Sequence, residues 1–202
     1  MSDLTGIFGG TFDPPHLGHL ILASEALDQL GLARLLWVLT PNPPHKLGQA
    51  ITPLEDRLAM TRLALEDYPA FELSTAEIDR PGPHYTLDTI KLIGTLYPAS
   101  EMVLLLGGDS LRDLPAWHRP LELVSACRYI GVMRRPGDNI DLAGLEQGIP
   151  GVSKKVRFVD APLLEIASRD IRRRAAEGRV FRHYIPAKVY EYIRERGLYK
   201  TE

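Results

Sequence analysis

A glycine-rich turn set between an apolar run and a helical pattern constrains this chain more than any other feature. Leu4 to Phe8 reads as a short buried strand, and Leu20-Ile21-Leu22-Ala23, Ala26-Leu27 and Leu30 recur at helical spacing. Between them lies Gly9-Gly10-Thr11-Phe12-Asp13-Pro14-Pro15-His16-Leu17-Gly18-His19. A helix start presents unpaired N–H groups and the positive end of a dipole, which together favour an anion. Small residues let backbone approach a phosphate closely. His16 and His19, one helical turn apart, point the same way. The arrangement suits a triphosphate whose charge must be stabilised during displacement. A zinc site built on the same two histidines would need a third or fourth ligand, and no Cys cluster or H-E-x-x-H motif supplies one.

Beyond this turn, apolar runs alternate with helical patterns. Strands are expected at Leu35 to Leu39, Phe71 to Leu73, Met102 to Leu106, Tyr129 to Met133 and Val156 to Val159. Helices are expected at Pro53 to Leu65, with Thr52 as N-cap, and at Thr86 to Tyr97, stopped by Pro98. Arg134 to Lys155, rich in Gly and Pro, reads as a surface excursion holding one short helix from Asp141 to Gln147. Asp170 to Ala176 and Ala187 to Arg194 are helical, the latter between Pro186 and Gly197. Alternation of this kind implies an α/β fold, a doubly wound parallel sheet with right-handed crossovers and ligands at the strands' carboxyl ends. The expected organisation is one domain over 1–202, with 160–202 as its C-terminal helical extension.

Length and charge narrow the function classes. The chain has 202 residues, enough for one substantial core. Its formal charge of -2 provides no basic field for nucleic acid. Cys127 is the single cysteine, which fits a reducing compartment. No signal-peptide pattern and no apolar run near membrane-spanning length is visible, so a cytoplasmic protein without membrane partners is expected.

Four further segments carry chemistry. Thr40-Pro41-Asn42-Pro43-Pro44-His45-Lys46 follows the second strand, and its prolines stiffen a loop that presents Lys46 as a point charge for phosphate. Gly107-Gly108-Asp109 follows the Met102 to Leu106 strand, where Asp109 can accept from ribose or amine donors. Trp117 either packs a helix or offers an aromatic ring a flat face, worth about 0.5–1.5 kcal/mol beyond burial. Tyr85 and Thr86 sit at a helix start whose N–H groups either are simply capped or bind a carboxylate. Arg134 follows another strand, placed to meet phosphate with forked donors or to stand in solvent. Neither G-x-G-x-x-G nor G-x-x-x-x-G-K-[ST] is present, which argues against a dehydrogenase or a P-loop kinase.

The G-G-x-F-D-P-x-H-x-G-H string resembles the HxGH signature of the nucleotidyltransferase superfamily. P-N-x-P-P-H-K, G-x-D-x-L-x-x-L-x-x-W-H and the Tyr85-Thr86-Leu87-Asp88-Thr89 segment resemble bacterial nicotinate mononucleotide adenylyltransferases, in family order. Two departures stand out. His84 replaces a usual Ser or Thr, and Ile166-Ala167-Ser168-Arg169-Asp170-Ile171-Arg172 replaces I-S-x-T-x-I-R, with Ala167 and Arg169 where hydroxyls are expected.

The resemblance implies a Rossmann-like fold and transfer of an adenylyl group from ATP to nicotinate mononucleotide, giving deamido-NAD and pyrophosphate. It implies catalytic roles for His16, His19, Lys46 and Arg172. ATP would be held by Gly9, Gly10, Thr11, Phe12, Gly18, Gly107, Asp109, Ser168 (also a helix cap) and Ile171. Nicotinate mononucleotide would meet Asp13, Lys46, Tyr85, Thr86, Trp117 and Arg134. Mg2+ would accompany ATP, held by phosphates and water. Small molecules are the expected partners, and a homo-oligomer is compatible with the sequence. Phosphopantetheine adenylyltransferases usually carry Thr at the position of His16, and cytidylyltransferases would not be expected to carry the Pro43 to Lys46 or Asp109 to His118 patterns. A catalytically silent nucleotide sensor is the alternative of another class; release of pyrophosphate from ATP separates it from an enzyme.

Overall fold

A computed structural model describes residues 3–42, 51–133, 140–162 and 164–200. Among them, six strands form one sheet: β1 (Asp3–Gly10), β2 (Arg34–Leu39), β3 (Phe71–Ser74), β4 (Ser100–Gly107), β5 (Tyr129–Met133) and β6 (Val156–Val159). Their order is β3-β2-β1-β4-β5-β6 and every pairing is parallel. From β1 the chain winds outward to β3, then crosses back to start β4 on the other side of β1. That reversal opens a crevice at the carboxyl ends of β1 and β4, where ligands of open α/β sheets bind.

The helices are α1 (Leu17–Gln29), α2 (Leu54–Leu65), α3 (Thr86–Leu96), α4 (Gly108–Asp113), α5 (Pro120–Ala126), α6 (Leu142–Gly148), α7 (Val152–Lys155), α8 (Ser168–Ala176) and α9 (Ala187–Arg196). Successive strand residues point to opposite faces, and both faces are covered. Ile7, Leu36, Val38, Leu104 and Leu106 pack with Leu87, Ile90 and Ile93 of α3 and Leu123 and Val124 of α5. Phe8, Leu35, Trp37, Leu39, Val103 and Leu105 pack with Leu20, Ala23 and Ala26 of α1 and Leu65 of α2. The sheet is doubly wound, as expected. None of the described helices is long and apolar enough to cross a membrane.

A third apolar cluster decides where the end of the chain goes. Met60 and Ala64 of α2 meet Ile171 of α8, Phe181, Ile185, and Val189 and Ile193 of α9. Each such side chain contributes about 1.5–3 kcal/mol by leaving water. The cluster holds α8 and α9 against α2 and brings both to the β1 end of the crevice.

Some local expectations change. Helix α2 begins at Leu54 with Pro53 as N-cap, and Thr52 is not the cap: its amide turns to Asp13 instead. The described part of the 134–155 excursion is no surface loop, since Leu145, Ile149 and Val152 are buried in the first core. They sit on α6, on its C-cap and at the start of α7, so no single helical period links them in the sequence. Helices α4 and α5, six and seven residues long, were not expected at all, being too short for periodicity to reveal.

Candidate active site

β1 ends in a turn held under tension. A Cβ on Gly10 would lie 2.6 Å from the Phe12 ring, so only glycine fits there without rearrangement. Phe12 adopts φ 47°, a left-handed conformation costing a non-glycine residue about 1–3 kcal/mol. Aromatic packing offsets the strain. The Phe12 ring lies 4.8 Å from that of Trp37, 5.6 Å from Phe8 and 5.4 Å from the His19 imidazole.

The two histidines then cap α1 with each other. His16 is the N-cap and His19 the third helical residue. His16 Nδ1 accepts from the His19 amide at 3.3 Å, and His19 Nδ1 accepts from the His16 amide at 3.2 Å. This is a capping box made of imidazoles. It corrects one expectation: these two N–H groups are committed to histidine rings and are not open to an anion. The exchange also sets the tautomer, because an accepting Nδ1 leaves the proton on Nε2. The rings stack 3.6 Å apart at 19°. His16 is 6 % exposed, and burial depresses its pKa from 6.5 to about 4, so it is a neutral Nε2–H donor at neutral pH. Gly18 completes the motif, since a Cβ there would press on the His16 ring at 3.1 Å.

The loop before His16 is held carbonyl by carbonyl. Thr11 O accepts from Arg57 Nη1 at 3.2 Å, Asp13 O from Arg172 Nη1 at 2.7 Å, and Pro14 O from the Ser168 hydroxyl at 2.8 Å. Several expected roles therefore change. Ser168 does not cap α8; Ala167 occupies the cap and Ser168 is spent on Pro14. Arg172 reaches the histidine loop, with a guanidinium nitrogen bound to its backbone. Ile171 is 1 % exposed inside the third cluster, its amide bound to Ala167 O, so its side chain packs α8 against α2 and α9. Asp13, 3 % exposed, lies beneath the loop and not in the open crevice: Oδ1 accepts from Tyr199 at 2.8 Å and Oδ2 from the Thr52 amide at 3.3 Å.

Arg57 and Tyr199 are the residues that sequence reasoning missed. The buried Arg57 donates to four carbonyls, of Thr11, Thr40, Pro41 and Thr52, tying the ends of β1 and β2 to the start of α2. Burial lowers its pKa, with the charge of Asp13 opposing. An arginine within a helical pattern carries no sign of this role.

The other side of the crevice is built differently. Gly9 and Gly107, at the carboxyl ends of β1 and β4, have open space where a Cβ would be. Asp109, in the first turn of α4, is exposed and ion-paired with Arg112. Tyr85 is the N-cap of α3 and no side chain caps that helix, which starts at Thr86. The Tyr85 carbonyl accepts from Arg80, whose guanidinium also reaches Thr89, and Thr89 in turn donates to the buried Glu77 at 2.9 Å. The Tyr85 ring stacks on His118 at 3.9 Å and 14°. Trp117 is half-buried against the first core, so packing accounts for part of its surface. Arg169 is exposed and shares a cavity of about 500 Å³ with Arg172, Arg173, Thr52 and Tyr199. Lys46 and Arg134 lie outside the described residues.

Comparison with known proteins reads this arrangement in two stages. Residues 7–174 match the cytidylyltransferase-like family, which defines the class. The probable nicotinate-nucleotide adenylyltransferase of Thermomicrobium roseum is 47 % identical over 196 residues, covering 97 % of this chain and 91 % of that protein. The one from Geobacillus thermodenitrificans is 41 % identical over 194 residues, covering 96 % and 85 %. A Plasmodium falciparum nicotinic acid mononucleotide adenylyltransferase, solved in complex with NaAD, has the same fold, with a TM-score of 0.79 at 20 % identity over 98 % of this chain and 97 % of that one. The chain belongs to the nicotinate-nucleotide adenylyltransferase family.

Proposed function

We propose that this chain joins nicotinate mononucleotide to the adenylyl group of ATP in the crevice between β1 and β4, releasing pyrophosphate. The observation that carries the reading is the stacked His16–His19 pair, which the fold sets at the point where strand order reverses. Both imidazoles hold their proton on Nε2, where a hydrogen bond to a phosphate oxygen grows stronger as negative charge develops. The substrate phosphate attacks the α-phosphorus in line with the leaving pyrophosphate. No protein nucleophile is required, because positioning and charge stabilisation carry phosphoryl-group chemistry.

The remaining assignments follow the placement of each residue. Gly9 and Gly107 leave room for the nucleotide at adjacent strand ends. The α3 terminus at Thr86 attracts a carboxylate more than a neutral amide, favouring nicotinate over nicotinamide. Trp117 supplies the face for the pyridine ring. Lys46 and Arg134 are assigned to phosphate by their motifs. Among the described residues, no group of three or more His, Cys, Asp or Glu gathers as a protein metal site requires. Magnesium is assigned to the ATP substrate, held by phosphate oxygens and water.

The test is a substrate comparison. ATP is supplied with nicotinate mononucleotide, nicotinamide mononucleotide or phosphopantetheine while pyrophosphate is followed. Fastest release with nicotinate mononucleotide is expected; release only with phosphopantetheine, or none with any acceptor, refutes the reading.

A further inference from the structure

We infer that Tyr199, in the turn that follows α9, is a positioning residue for the histidine pair; this rests on reading the crevice as the adenylyl-transfer site. Asp13 lies between the strained Phe12 and His16, whose ring caps α1. Its carboxylate is almost fully buried and so depends on the donors around it. Tyr199 makes the shortest of these contacts, 2.8 Å to Oδ1, against 3.3 Å from the Thr52 amide and 3.9 Å from Arg172 to Oδ2. With Tyr199 in place, the Asp13 side chain is pinned from below while Arg172 pins its carbonyl. Those are the last fixed points before Pro14 and the cap residue.

Tyr199 is itself held in an unusual way. Gly197 and Tyr199 both adopt left-handed backbone, with φ 63° and 64°. For Tyr199 that conformation is strained, and such strain persists where surrounding contacts over-determine it. The Leu198 amide closes the turn on Ile193 O at 3.0 Å, and the turn carries the phenol back to Met60 and Asp13. Burial and the charge of Asp13 raise the phenol's pKa, so the hydroxyl stays protonated and keeps donating.

The same region contains its own control. Tyr192 on α9 donates to Asp56 Oδ1, also at 2.8 Å. Asp56 lies in the first turn of α2 and is shared with Arg196, outside the 11–16 loop. Tyr199→Phe and Tyr192→Phe thus each remove one phenol–carboxylate bond from the C-terminal helical region, but only the first touches the histidine loop.

The experiment measures steady-state turnover and the imidazole 15N shifts of His16 and His19 in the free full-length chain, well below the unfolding midpoints. Tyr199→Phe should lower kcat about tenfold or more, since small misplacements of a catalytic group are costly. KM for each substrate should move less than about threefold, and the His16 ring signals should shift. Tyr192→Phe should leave kcat and both rings unchanged. Wild-type kcat with unshifted rings in Tyr199→Phe overturns the inference, as does an equal kcat loss in the two variants. Failure of Tyr199→Phe to fold overturns it too, because the hydroxyl would then serve the fold as a whole. If the wild-type chain turns over no acceptor, the adenylyl-transfer reading fails, while the ring shifts still decide whether Tyr199 positions the histidines.

Discussion

The two walls of the crevice are built to different standards of rigidity. On the β1 wall, the carbonyls of Thr11, Asp13 and Pro14 each accept from a different side chain, and the histidines bind one another's amides. On the facing wall, Tyr85 and His118 meet by ring stacking, Asp109 pairs with its own helical neighbour Arg112, and α3 has no side-chain cap. The contrast fits two tasks. Stabilising charge at a reacting phosphorus requires donors whose positions do not adjust. Taking up a flat ring and a carboxylate tolerates, and for release benefits from, a surface that gives.

The largest expected effect tests the rigid wall directly. His19→Ala should lower kcat by about two to three orders of magnitude, as loss of one preorganised donor typically does, with a much smaller change in ATP affinity. A variant that kept half of its turnover would remove His19 from the chemistry. Next comes the brace. Arg57→Met strands four carbonyls, and unsatisfied buried groups cost about 1–3 kcal/mol each. A fall of about 3 kcal/mol or more in unfolding free energy is expected from urea denaturation. Arg80→Met, on the compliant wall, should cost about 1 kcal/mol. Equal losses would erase the contrast.

Protonation sharpens it further. His16 titrates near 4 in the folded protein and at 6.5 when unfolded. Between these values the unfolded chain binds a proton that the folded one does not, so stability falls as pH drops from 6.5 to 4. The group contributes no slope above 6.5. Its share is roughly 3–4 kcal/mol at about 1.36 kcal/mol per unit. The His16→Gln variant should show a correspondingly shallower acid limb in pH-dependent denaturation, and an unchanged limb would mean that His16 is not desolvated. The smallest effect belongs to the compliant wall. Trp117→Ala should raise KM for nicotinate mononucleotide roughly two- to tenfold, the range that ring stacking supplies, and leave KM for ATP nearly unchanged. Equal changes for both substrates would assign Trp117 to packing alone.

The histidine motif was legible because its signal is local. Gly10, Phe12, His16, Gly18 and His19 lie within ten residues, and their spacing along one turn and one helix start determines how they meet. Asp13 belongs to the same string, yet its burial is not legible there. Nothing in the neighbouring residues says that Tyr199 approaches from below. Ser168, Ile171 and Arg172 were recognised as a group, but their partners Pro14, Met60 and Asp13 lie more than a hundred residues away. Short helices such as α4 and α5 escaped for another reason: with two turns or fewer, tertiary contact and not periodicity stabilises them.

The sequence by itself determined the alternation of strands and helices, the covered parallel sheet and the family of reactions. Each rests on a continuous apolar run, on a pattern of period 3.6 or on a contiguous motif, and such patterns survive without knowledge of distant contacts. Only the tertiary structure decided which motif residues stand in the crevice and which stand behind it. That choice depends on whether a buried carboxylate or carbonyl finds its donor. The donors Arg57, Arg172 and Tyr199 are brought to the loop by an apolar cluster assembled from three separate stretches of chain.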